Sequence, residues 1–79
     1  MHELSLAGSI LRTVLQHAEG KKISEVCLGI GPLACVERSS LSFCWEAMSA
    51  DSPVAGARLV YLEAEGSELT LRHLICEED

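Results

Sequence analysis

Basic residues are scarce in this chain: six Lys and Arg stand against twelve Asp and Glu, giving a net charge of −6 over 79 residues. That balance repels nucleic acid and anionic lipid and leaves cations, metal ions included, as the favoured partners. Aromatics are rarer still, with one each of Trp, Tyr and Phe. The interior is therefore expected to consist of Leu, Ile, Val, Ala and Cys, with Phe43, Trp45 and Tyr61 as isolated large fillers. No apolar run reaches the roughly 18–20 residues of a membrane helix, and no basic segment precedes the first apolar stretch as in a secretory leader. The chain accordingly reads as cytoplasmic. Its four cysteines, Cys27, Cys35, Cys44 and Cys76, include no C-x-x-C pair, which argues against a zinc knuckle or a dithiol redox motif. Reduced thiols packed in the interior are expected instead. There is no phosphate-binding glycine loop, no Ser/His/Asp arrangement and no paired-carboxylate motif, so the chain does not read as an enzyme.

What is present is a chain that is 48% hydrophobic, enough for one domain over 1–79 with a core that is marginal at this size. From Leu4 to Ala18 the apolar residues Leu4, Ala7, Leu11, Val14, Leu15 and Ala18 recur at steps of three and four, with Ile10 widening the stripe. This predicts an amphipathic helix, stopped by Gly20 with Lys21 and Lys22 near the negative end of its dipole. The period changes over Ile23 to Ile30, where alternation predicts a strand ended by Gly31-Pro32. Ser39 and Ser40 are N-cap candidates for a second helix from about Leu41 to Ser49, in which Leu41, Cys44, Trp45 and Met48 share a face. Ala57 to Glu63 and Glu68 to Cys76 read as two more strands, and Glu65-Gly66-Ser67-Glu68 between them is short enough for a hairpin. The tail Glu77-Glu78-Asp79 reads as a solvated acidic end. The order α-β-α-β-β implies an α/β (α+β) fold, a small three-stranded mixed sheet packed by two helices. If the first two strands are parallel, the Leu41 helix is their crossover.

The opening Met1-His2-Glu3 can bind a metal without any folded cavity. The Met1 amine, the backbone nitrogens of His2 and Glu3 and one His2 imidazole nitrogen offer four nitrogens, a set that suits square-planar Ni(II) or Cu(II). A bulky residue at position two disfavours removal of the initiator Met, so the amine is expected to stay in place. The first amides of a helix lack intrahelical acceptors, so a metal can displace their protons without breaking helical hydrogen bonds. The positive end of the helix opposes a dication, while the Glu3 carboxylate favours it. Affinity should fall with pH as protons compete for the same lone pairs. His17 reads as a partner of the helix dipole and His73 as a surface residue, not as ligands.

Met1-His2-Glu3-Leu4-Ser5-Leu6-Ala7 resembles the start of the HypA family of hydrogenase-maturation nickel metallochaperones. Further blocks resemble it in the same order: Leu28-Gly29-Ile30-Gly31-Pro32-Leu33, Val36-Glu37 with Ser40-Leu41-Ser42-Phe43 and Glu46, Ala55-Gly56-Ala57-Arg58-Leu59, and Glu68-Leu69. The resemblance implies a nickel domain of α-β-α-β-β order. It assigns His2 as principal ligand, with the Met1 amine, the backbone of His2 and Glu3, and an important Glu3 side chain. It also implies delivery of nickel toward the large subunit of [NiFe]-hydrogenase with a HypB-type GTPase partner, and urease maturation in relatives.

Family members carry a zinc module with two C-x-x-C-type pairs between the second and third strands, where this chain has only Glu63-Ala64-Glu65-Gly66-Ser67. No zinc is therefore expected here. Retention of every other block favours an engineered shortening, with Gly66-Ser67 as the joining scar, over a naturally shortened relative. Loss of the module would uncover apolar sheet surface and favour a homodimer. Two other readings are a metal-free protein-interaction module and a designed minimal scaffold. On Met1-His2-Glu3 alone a frayed terminus is the better reading; the resemblance, spread along nearly the whole chain, favours the nickel domain.

Overall fold

A computed structural model describes residues 2–77. Its elements are α1 (Glu3–Ala18), β1 (Ile23–Ile30), α2 (Arg38–Ser49), β2 (Arg58–Glu63) and β3 (Leu69–Cys76). The expected α-β-α-β-β order and mixed three-stranded sheet are both present, with strand order β2-β1-β3. β2 runs parallel to β1, with Val26 beside Leu59 and Leu28 beside Tyr61. β3 runs antiparallel on the other side, with Val26 beside Leu74 and Ile30 beside Leu69. α2 is the crossover that a parallel β1–β2 pair requires.

The two helices pack on each other and over the sheet face that carries Val26, Leu28 and Ile30. α1 buries Ala7, Ile10, Val14 and Ala18, while Leu4 stays 60% exposed and Leu15 40%. The apolar stripe is thus wider than the surface available to cover it. Leu4 and Leu15 lie at its margin, four and seven residues from the Gly8 position that meets Met48 of α2; a Cβ at Gly8 would sit 3.1 Å from the Met48 methyl. The helix reverses at Glu19 and Gly20, both with left-handed backbone, and the Lys21 N–H closes on the Ala18 carbonyl at 2.9 Å. The stop therefore begins one residue before the glycine.

In α2 the buried set is Leu41, Trp45 and Ser49, with Met48 at the edge. Trp45 is 1% exposed, and its indole N–H donates to the Ala57 carbonyl at 2.7 Å, which satisfies the one polar atom it buries. Phe43, expected as a filler, is 71% exposed because it falls on the side of α2 opposite Leu41 and Trp45. The cysteines also divide: Cys27 is buried and Cys44 half-buried, but Cys35 and Cys76 are exposed, and all four are free thiols. An apolar neighbourhood in sequence did not secure burial at Cys35, which lies in the loop after β1, or at Cys76, which ends an edge strand. Among the described residues no helix is long and apolar enough to cross a membrane.

Sheet order also corrects the hairpin expected at 65–68. β2 and β3 are not neighbours, because β1 lies between them. Residues 64–68 must instead cross the end of β1, roughly two strand spacings or about 10 Å. They do so by pairing with it: Ala64 N–H donates to the Ile30 carbonyl at 3.2 Å, Gly31 N–H to Glu68 at 2.9 Å and Leu33 N–H to Gly66 at 2.8 Å. Gly31 is required beneath this crossing, since a Cβ there would stand 2.3 Å from the Gly66 carbonyl oxygen.

Gly31→Ala should therefore destabilise the fold by about 2–3 kcal/mol, the cost of forcing backbone apart in a packed site. Gly29→Ala should cost less than about 1 kcal/mol, because the atoms it meets are the flexible ends of Arg72 and Glu68. Urea denaturation of both variants measures the difference, and equal losses would contradict this account of the crossing.

Candidate metal centre

α1 starts at Glu3, one residue earlier than the Leu4 start read from periodicity, and His2 is its N-cap, with extended backbone at φ −83° and ψ 110°. Its carbonyl accepts the first helical bond, from the Leu6 N–H at 3.0 Å. The amides of His2 and Glu3 precede that bond and have no acceptor within the helix. The His2 side chain makes no capping bond to the first turn of the helix, and the residue is exposed. Two backbone nitrogens and an uncommitted imidazole are thus available on consecutive residues. The Met1 amine, the other expected donor, lies outside the described residues.

The Glu3 side chain is fixed by a contact that local sequence does not announce. Its carboxylate Oε2 accepts a long hydrogen bond, 3.4 Å, from the backbone N–H of Glu37, the N-cap of α2. The starts of both helices therefore meet beside His2 and Glu3. Each helix start carries about half a positive charge, an arrangement unfavourable to a dication unless carboxylates offset it. Glu3 and Glu37 supply two.

Glu37, not Ser39 or Ser40, caps α2. Its Oε1 accepts from the Ser39 N–H at 3.1 Å and the Ser39 hydroxyl at 2.8 Å, and its Oε2 from the Ser40 N–H at 3.0 Å and the Ser40 hydroxyl at 3.1 Å. A serine at the cap could satisfy one of those amides, whereas a carboxylate one methylene longer than Asp spans both. The Ser39 hydroxyl first, then the Ser40 and Ser39 amides, hold the Glu37 carboxyl below the usual glutamate range. Glu37 therefore stays negative wherever an ordinary carboxylate does. The pairing of an acidic residue with serines two and three positions later was the signal available in sequence.

No group of three or more His, Cys, Asp or Glu side chains capable of holding a metal occurs among the described residues. His17 and His73 both line a shallow depression at the C-terminal end of α1, in company with Arg72, and both are exposed. Among those residues, a donor set for a divalent transition ion at the terminus must draw on backbone nitrogen as well as imidazole. The uncommitted amides of His2 and Glu3 fit that chemistry.

The family model described as "Hydrogenase/urease nickel incorporation, metallochaperone, hypA" matches residues 1–77. A hydrogenase maturation factor HypA from Geobacter sp. (strain M21) is 44% identical over 59 residues, covering 75% of this chain and 54% of that protein. The HypA protein from Azotobacter chroococcum mcd 1 is 42% identical over 69 residues, covering 84% of this chain and 61% of its own length. This chain thus spans just over half the length of the curated relatives it matches. The solution structure of the Ni metallochaperone HypA from Helicobacter pylori superposes with a TM-score of 0.71 at 24% identity, covering 92% of this chain and 72% of that one. That likeness establishes the shared fold.

The capping geometry sets a pH dependence of definite sign. Because folding lowers the Glu37 pKa, its contribution is fully present above the unfolded-state value and is lost as pH falls through the lower folded value. Protection of the Ser39 and Ser40 amides, measured against their intrinsic exchange rates at the same pH, should therefore fall on acidification below the ordinary glutamate range, and in Glu37→Ala at neutral pH. Unchanged protection in that variant would remove Glu37 from the cap.

Proposed function

Because the chain belongs to the HypA family of hydrogenase and urease nickel-incorporation proteins, we propose that it is a nickel-carrying domain that takes Ni(II) as cargo at its N-terminus. The Met1 amine, the amides of His2 and Glu3 and the His2 imidazole form the donor set, with Glu3 and Glu37 neutralising charge nearby. The observation that carries this reading is the position of His2 as an exposed N-cap whose side chain makes no capping bond. Ionised amides would offset the charge of the ion, and the surrounding carboxylates would counter the two helix starts. Release then needs only protonation or ligand exchange at an exposed site, with no opening of the fold.

Delivery follows the same logic. A cargo held at an exposed terminus can be approached by an acceptor's own ligands while still partly bound. The acceptors proposed are the large subunit of [NiFe]-hydrogenase, or urease in the related pathway, with a HypB-type GTPase as partner. The domain acts by binding and transfer, not as an enzyme. Residues 63–67 are proposed to stand where the family carries its zinc module, so the chain is proposed to carry no zinc and to hold the β2–β3 connection through its pairing with β1 alone. The sheet face away from the helices carries half-buried Val60 and Leu62 and exposed Ile75. We propose this as the surface of self-association; a strictly monomeric species by light scattering at high concentration would count against it.

Calorimetry on untagged protein at neutral pH should register one nickel ion per chain, with affinity falling on acidification. His2→Ala should abolish that heat while shifting the thermal midpoint by no more than about 4 °C, as expected of an exposed substitution in a domain of this size. Acetylation of the amine should be as damaging as loss of His2. Nickel binding that survives both changes would overturn the terminal site.

A further inference from the structure

β2 is an edge strand, and α2 meets it at Tyr61, whose hydroxyl pairs with the Ser42 hydroxyl at 2.6 Å and lies 3.0 Å from the Arg38 carbonyl. Beside that contact, at the start of β2, lies a cleft of about 570 Å³, walled on one side by Ser42, Trp45, Glu46 and Ser49 of α2 with Ala50, and on the other by residues 55–57 of the preceding loop and Arg58 and Leu59 of β2. The helix residues follow the three- and four-residue spacing of a single face. Serine, alanine and glycine line most of the cleft, so it is kept open by small side chains. Trp45 forms its inner limit and is tied across it to the Ala57 carbonyl.

We propose that this cleft receives an extended segment of a partner protein bearing a basic side chain, which adds as a fourth strand to the free edge of β2. Three observations select that occupant. An edge strand presents unpaired backbone N–H and C=O groups, which an incoming strand satisfies in an edge-to-edge pairing beside a groove. The strand periodicity of two would direct alternate side chains of the segment toward the helix, where small lining residues leave room. The charge is one-sided: Glu46 is exposed and makes no ion pair among the described residues, whereas Arg58 is drawn off to Glu25 at 3.0 Å. The uncompensated charge at the cleft is therefore negative, and it calls for Lys or Arg on the segment. The surface is distinct from the nickel terminus and does not depend on metal.

Trp45 is the only tryptophan in the chain, so its emission reports on the cleft directly. The probe is a capped six-residue peptide of alternating Val and Ala with one central Arg, titrated into the full chain with tryptophan emission and amide NMR as readouts. Binding should shift Trp45 emission and the amides of 57–63. Glu46→Lys should weaken the Arg peptide at least about tenfold and favour the same peptide carrying Glu. Of two isomers N-methylated on alternate residues, one should bind and the other fail, because only one blocks the hydrogen bonds facing β2. The His2→Ala chain should bind the peptide normally, which separates this test from that of the nickel site. No response at Trp45, equal binding of both methylated isomers, or indifference to Glu46→Lys overturns the proposal. Concentration-dependent shifts at the same amides without peptide would assign the cleft to a second copy of the chain and overturn it as well.

Discussion

The position of β1 between two strands of opposite direction is the constraint on which the rest of the structure depends. A parallel neighbour on one side demands a crossover, which makes α2 part of the core. An antiparallel neighbour on the other side demands that the chain return across the end of β1, and residues 64–68 do so by hydrogen bonding to Ile30, Gly31 and Leu33. The glycine at position 31 is a consequence of that crossing, because only hydrogen fits where the Gly66 carbonyl passes. A strand with partners on both edges is also the most deeply buried element, so Val26, Leu28 and Ile30 anchor both helices.

The same arrangement places the candidate metal centre. The loop that leaves β1 ends at Glu37, which caps α2 and offers its backbone N–H to Glu3. Glu3 is thereby held beside the start of the second helix, although 34 positions of sequence separate it from Glu37. Two positive helix ends in one place would ordinarily discourage a cation. Here each brings a carboxylate, one engaged in the cap and the other at the terminus itself. The proposed site would join an exposed donor set to an electrostatic setting fixed by the fold, as carrying an ion and releasing it requires.

Much of this was legible in the chain. The change from a period of about 3.6 to a period of two located all five elements to within a few residues, because each element buries one face and the apolar residues must follow that face. Identification of His2 and Glu3 as donor candidates needed only the chemistry of an amine beside an imidazole. The misreadings share a cause. Phe43, Cys35 and Cys76 were expected inside because they are apolar, but burial depends on which neighbours exist on that side. The hairpin at 65–68 was inferred from loop length, which is the same for a turn between paired strands and for a short crossing over a third. The cap was assigned to serine by general preference, and the longer reach of Glu37 over two successive amides decided otherwise.

Sequence alone determined the elements, their order, the acidic character and the donor atoms that the terminus offers, since each is a property of residues near one another along the chain. Tertiary structure alone decided which strands pair, which apolar side chains are covered, and that Glu37 stands over Glu3. Those outcomes depend on contacts between distant segments, and pairing and packing across a sheet carry no local periodicity from which they could be read.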